Sequence, residues 1–327
     1  MRKLLLLLCF LSQPAHATVV NPSGHDDTAA IQAVCNAGNV VELVKGVYHV
    51  SSVTCKNIVG KNPAGGYYFW YEGVQPFTTV VGTSTAGAPA IVCPSSGCAY
   101  ANFAINPAQS GAAGIGTAGT VHGITLDGML IADNAGGQSG SCVDLSAGQD
   151  NQLLMISNST LIHCGAAGTS AWCVNAGVAS DSSITGYTII SNCGAGGVLI
   201  TYGFGWDIRP FRIEAQYNGV GVAWLSGGNG SIDTQFDLNI YDIQLGDVYV
   251  TLGKVMDSRL APGGVATFNI TGNAALAGGT VFTAGPTFRI DPSVPSFYAC
   301  GNQIVGLSAA DAYSQQIVGV SVHASCQ

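Results

Sequence analysis

Positive charge is the scarcest resource of this chain. Only 9% of its 327 residues are Asp, Glu, Lys or Arg, and 10 Lys and Arg stand against 18 Asp and Glu. Arg2 and Lys3 sit at the N-terminus, which leaves Lys45, Lys56, Lys61, Arg209, Arg212, Lys254, Arg259 and Arg289 to attract anions. A nucleic-acid partner needs a basic stripe to neutralise phosphates, and none is present. The same shortage argues against a strongly acidic polysaccharide unless a metal supplies the charge. Long apolar runs are missing too, since none approaches the ~18 residues of a spanning helix, so membrane insertion is not expected. Paired Cys-x-x-Cys spacings are absent, which removes the usual zinc pattern. No compact Asp motif for calcium is present either, so no cofactor is expected, with calcium the one ion left open.

What is present begins with an address. Arg2-Lys3, the apolar run Leu4 to Leu11 and Ala15-His16-Ala17 have the three parts of a secretory signal peptide, residues 1–17, with cleavage expected after Ala17. The product is expected to be secreted or held at the cell surface. Of 11 cysteines, Cys9 would leave with this segment. The even number remaining in an exported chain suggests disulfides, with Cys93–Cys98, Cys35–Cys55 and Cys300–Cys326 as local closures.

Forty-five glycines among short β-branched clusters describe brief strands and tight turns. The clusters repeat loosely. Ile189 to Val198 aligns with Ile213 to Val222 at an offset of 24, Leu161 to Gly165 with Ile190 to Gly194 at 29, and Phe211 to Gln216 with Phe236 to Tyr241 at 25. Alternation then turns Phe211, Ile213 and Ala215 inward, and Arg212, Glu214 and Gln216 outward beside Asp237, Asn239 and Tyr241. Stacking would also bring Cys164 beside Cys193, close enough for a disulfide. Lys61 to Gly73, with the aromatics Tyr67 to Tyr71, and the small-residue loop Gly111 to Gly119 break the pattern. From Gly285 onward Pro286, Pro292 and Pro295 interrupt it again. The expected division is 18–56 for a cap helix and first strands, 57–284 for the coils, and 285–327 for a C-terminal cap or oligomerisation segment.

The cap helix is the most specific local signal. Asp26 or Asp27 can take the N-cap, Ala29, Ala30 and Ala33 favour helix, Ile31, Val34 and Cys35 share one face, and Gly38 stops it. The run Gly24-His25-Asp26-Asp27-Thr28-Ala29-Ala30-Ile31-Gln32, followed by Asn39 to Leu43 and Lys45 to Val50, resembles the N-terminal signature of the pectate-lyase-like superfamily. The resemblance implies an all-β, single-stranded right-handed parallel β-helix with an N-terminal capping helix. It also implies the company of polysaccharide lyases, glycoside hydrolases and phage tailspikes, whose substrates lie in a groove along an outer sheet face.

Glycoside hydrolysis needs two carboxyl groups flanking one bond. On the predicted outer face these are Glu214 and Asp237, with Asp207 and Asp233 nearby and Arg212 beside them. The bland alternative is an exposed ion pair of Arg212 with Asp237 or Glu214. A lyase would use Arg209 or Arg212 as base, while His122 and His163 read as ordinary surface or turn residues. Arg212-Ile213-Glu214 is similar to the Arg-Ile-Lys of polygalacturonases, but glutamate replaces the lysine and no Gly-His-Gly is present, which disfavours that activity. Trp206, Trp224 and Tyr241 offer faces for sugar stacking, and Arg209, Gln216 and Asn239 offer polar contacts. Three glycosylation sequons begin at Asn158, Asn229 and Asn269. The reading is a secreted polysaccharide-degrading hydrolase or lyase. The alternative is a non-catalytic, tailspike-like or cell-surface glycan-binding protein, for which a homotrimer is expected, and a purely structural envelope role has no residue to support it.

Overall fold

The computed structural model describes residues 16–61, 78–82, 87–107, 112–133, 140–166, 169–203, 205–208 and 210, and from residue 212 onward the backbone of a series of strands. All of their pairings are parallel, and they wind through three sheets, here called A, B and C. A coil runs from Asn151–Ser157 on sheet A to Thr160–Ile162 on B and Trp172–Ser180 on C. Ser182–Thr185 then returns to A, directly beside the strand that began the coil. One helix, Thr28–Asn36, precedes the coils among the described residues. The chain is thus a mainly β, parallel solenoid, as its strand repeats predict.

Each sheet contributes one apolar residue per coil to a vertical column, because parallel in-register strands place like positions about 4.8 Å apart. On sheet A the column includes Tyr100, Leu126, Ile156, Ile184 and Ile208. On sheet B it includes Ile105, Ile131, Leu161, Ile190 and Ile213. On sheet C, Ile91, Ile115, Val143, Val174 and Val198 stand in line. Apart from Ile213, whose backbone alone is described, these side chains are all at most 1% exposed. Tyrosine enters such a column only by pairing its hydroxyl. Tyr100 donates to the Cys55 carbonyl at 2.6 Å, and burial pushes its phenol up far beyond the usual range.

The helix start separates the roles of the two aspartates. Asp27 occupies the N-cap position but makes no side-chain cap bond. Its buried carboxylate instead accepts the backbone N–H of Ser23 at 2.8 Å and of His49 at 3.2 Å, tying the helix entry to the strand Gly46–Val50. Asp26 accepts the Thr28 N–H at 2.9 Å, and that hydroxyl and amide hold its carboxyl below the ordinary aspartate range. Ile31 is buried, with Val34 and Cys35 packed beside it as the spacing predicts. Gly38 follows with φ at 74°.

Several expectations change in register. Val198 does stand on Val222, and Leu161 on Ile190. Ile213, however, stands on Ile190 rather than Ile189. The described parts of the segments 211–216 and 236–241 lie on different sheets. Arg212–Glu214 lies on sheet B beneath Asp242–Gln244, whereas Asp233–Leu238 lies on sheet A. The alternating pattern recurs on every sheet, so an offset of 25 matched strands of different sheets. The small-residue loop at Gly111 to Gly119 contains a strand, Ile115–Thr117. A Cβ on Gly116 would lie 2.4 Å from Pro89 Cγ, so small residues there serve close packing. Past residue 285 the pairing order continues through Phe288–Ile290, Phe297–Cys300 and Gln303–Val305. The aromatic cluster Tyr67 to Tyr71 lies outside the described residues.

Disulfides Cys35–Cys55 and Cys93–Cys98 form as expected. Cys164 pairs with Cys142 and Cys193 with Cys173, not with each other. Cys164 and Cys193 do stack, but both bonds run diagonally across the corner between sheets B and C. Cys300–Cys326 falls outside the described side chains.

The corners turn on left-handed residues. Between sheets A and B, Asn102 and Asn158 take φ of 62° and 48°, and Gly128 and Gly186 stand above them one coil later. A Cβ on either glycine would come within 2.6 or 2.7 Å of the asparagine Oδ1 below, so asparagine and glycine alternate. Between sheets C and A, Gly123 and Asp181 flank Leu153, which holds φ at 57° while 48% exposed. A bulky side chain in that conformation costs about 1–2 kcal/mol. Leu153→Asn, whose short side chain tolerates it, is expected to stabilise the fold by about 0.5–1 kcal/mol. A raised urea midpoint with unchanged slope checks this.

Candidate functional site

Outward positions on sheet A alternate with its buried column, and Asp127, Asp207 and Asp237 are among the strand residues of that sheet. Asp207 lies between buried Trp206 and Ile208 and is itself half-buried. Its register partner on the next coil is Asp237, which in turn pairs with Asn269. Two aspartates thus occupy one column on adjacent strands, about 4.8 Å apart along the sheet.

Glu214 does not join them. It ends the sheet B strand Arg212–Glu214, in register with Ser191, while Arg212 stands between Ile189 and Asp242. Neither residue shares a sheet with Asp237, so the expected grouping of Glu214 and Arg212 directly beside Asp237 is replaced by the Asp207–Asp237 pair. Trp206 is also corrected. It is 1% exposed and its Nε1 donates to the Ala179 carbonyl at 2.8 Å, so the indole fills the core and leaves no face for a sugar. Sequence reading assigned it outward because aromatic residues near carboxylates suggest stacking, but the alternation of its strand turns Trp206 in and Asp207 out. Trp224 stands in register with buried Ile200. Arg209, Gln216, Asn239 and Tyr241 lie outside the described residues.

Sequence reasoning missed a second polar group on the same face. Asp127 Oδ1 accepts the Ser157 hydroxyl at 2.7 Å and the Asn158 amide at 2.9 Å from the next coil. One coil further, Tyr187 is 67% exposed, and its backbone N–H donates to Asn158 Oδ1 at 3.4 Å. Met155, 42% exposed, shares the strand with Ser157. The available signal was the alternation around Ile124, Leu126 and Ile156, which forces Asp127 and Ser157 outward. Asn158 is engaged here and Thr160 is 3% exposed, so the first sequon is folded into the corner. His122 opens the strand His122–Asp127, with its Nε2 3.1 Å from the Asp150 carbonyl, and His163 follows the strand Thr160–Ile162 with φ at 58°.

Electrostatically this surface has few cations. No Lys or Arg occurs from residue 62 to residue 208. Lys61, the last before that stretch, pairs with Glu42 at 3.0 Å. Among the described residues, one group of metal-ligating atoms gathers within 4.8 Å, the sulfurs of Cys142, Cys173 and Cys193, and all three are in disulfides. Compared with protein-family models, curated proteins and solved structures, the chain matches none.

The core assignment of Trp206 is testable. Trp206→Phe leaves the buried Ala179 carbonyl without its donor and is expected to cost about 1–3 kcal/mol in urea denaturation. Its fluorescence emission, if Trp206 fills the core, is expected to lose a blue-shifted, buried-indole component relative to the parent.

Proposed function

We propose that this chain is an exported β-helix protein of the pectate-lyase-like kind that hydrolyses a polysaccharide laid along the outer face of sheet A. The observation that carries the reading is the stacking of Asp207 and Asp237 in one register column. Their backbone spacing of about 4.8 Å is close to the ~5–5.5 Å between carboxyls in retaining glycosidases. One carboxyl would donate a proton to the departing glycosidic oxygen. The other would attack the anomeric carbon, and water would then release the sugar with the first group acting as base. Arg209 and Asn239, which directly follow Ile208 and Leu238 in sequence, are suited to hold sugar hydroxyls, and Gln216 and Tyr241 serve as further contacts. Glu214 and Arg212, one sheet away, remain candidates for the acid and its partner.

The scarcity of cations from residue 62 to 208 favours a neutral glycan over a polyuronate. The disulfides and the N-terminal Arg2 to Ala17 pattern support export. A second reading, a tailspike-like binder without turnover, is favoured by Tyr187 exposed beside the Asp127–Ser157–Asn158 network, which offers a sugar a flat ring and polar neighbours without chemistry.

A panel of neutral and acidic polysaccharides, read for both reducing ends and unsaturated products, separates these readings. Reducing ends from a neutral glycan are expected, with no unsaturated product. Asp207→Asn and Asp237→Asn are each expected to lower kcat about 100-fold or more. Unchanged turnover in both would remove the pair from the mechanism and leave Glu214→Gln as the decisive variant. Binding without any product, from a trimer by light scattering, would favour the binder.

A further inference from the structure

Four sulfurs meet at the corner between sheets B and C, and their two bonds are not the only ones that corner permits. Val143 stands on Val174, which sets Cys142 beside Cys173 on adjacent coils. Ile162 stands on Ser191, and two residues further on Cys164 follows beside Cys193, where the Gly194 N–H donates to the Cys164 carbonyl at 2.9 Å. The bonds present are Cys142–Cys164 and Cys173–Cys193, each with Cα atoms 5.3 Å apart. In-register neighbours about 4.8 Å apart fall inside the same range that disulfides accept, roughly 4.4–6.8 Å. The sulfurs of the two different bridges are already in contact, with Cys142 Sγ 3.9 Å from Cys193 Sγ. Cys173 Sγ lies within 4.8 Å of both. Cys142, Cys164 and Cys173 are 0% exposed and Cys193 is 3% exposed.

We propose that these four cysteines form one exchangeable unit, in which a single thiolate converts the diagonal pairing into the vertical pairing Cys142–Cys173 with Cys164–Cys193 inside the folded solenoid. An external monothiol of the glutathione class attacks Cys193, the least buried sulfur, forming a mixed disulfide and releasing the Cys173 thiolate. Cys173 attacks Cys142, and the electron pair of the Cys142–Cys164 bond leaves on Cys164. Cys164 then attacks Cys193, forming Cys164–Cys193 and returning the external thiolate. Two disulfides are present before and after, and nothing is oxidised or reduced overall. Either pairing ties the same coils together, so the corner stays clamped when a thiol attacks it.

The test incubates the native chain with a small amount of reduced glutathione at mildly alkaline pH, quenches with acid and alkylates. Chymotrypsin is used for mapping because no Lys or Arg lies between these cysteines, while Leu145, Trp172 and Tyr187 separate them. The expected result is that Cys142–Cys173 and Cys164–Cys193 peptides appear together while circular dichroism is unchanged. Cys35–Cys55 and Cys93–Cys98 peptides are expected to stay constant. In Cys142→Ala/Cys164→Ala, where no second disulfide remains for Cys173 to attack, the Cys173–Cys193 peptide pair is expected to persist beside a small glutathione adduct, with no new pairing. Alkylated Cys173 and Cys193 in the parent chain without the vertical pair would overturn the proposal. So would a vertical pair that forms only after the dichroism signal is lost.

Discussion

Every part of this molecule depends on one residue per strand landing on its equivalent in the coil below. The three apolar columns on sheets A, B and C satisfy that condition over successive coils, with isoleucine, valine and leucine repeating at like positions. A β-branched side chain stacked on another of its kind buries its apolar surface and keeps its preferred rotamer. Shifting one strand by a single residue would turn its column residue outward and an outward polar residue inward. The outer face therefore has no independent freedom. Asp207 faces outward beside Ser183, and shares a column with Asp237, because Ile184, Ile208 and Leu238 are aligned.

The fold was legible where local chemistry and repetition agreed. The Asp-Asp-Thr-Ala-Ala entry, Ile31 with Val34 and Cys35, and Gly38 produced the helix, and the short β-branched runs produced the coils. Which strand met which was less legible, since the same alternation is written on all three sheets and loop lengths vary between coils. Val198 with Val222 came out in register. Arg212–Glu214 with Asp233–Leu238 did not, because one strand alone, Val220–Gly227, lies between them, whereas partners one full coil apart have two strands between them. The outward carboxylates followed from that error. Asp207 and Asp237 were both picked out by residue type, but Glu214 was joined to them only through the mistaken register. Asp127 was overlooked because its partners Ser157 and Asn158 come from the following coil.

Charge on the solenoid is economical and one-sided. Asp27 is buried but answered by two backbone donors, and Asp127 by a hydroxyl and an amide, so neither needs a cation. Both carboxyl groups are met by neutral donors rather than by Lys or Arg.

The order of the cysteines carries a consequence for biosynthesis. Cys35–Cys55, Cys93–Cys98, Cys142–Cys164 and Cys173–Cys193 each join a cysteine to the next one in the chain. If the chain is threaded N-terminus first into an oxidising compartment, the correct partner of the leading cysteine in each of these four bridges is the next cysteine to emerge. An oxidase acting on thiols as they arrive can then write the diagonal pattern coil by coil, and proofreading becomes dispensable.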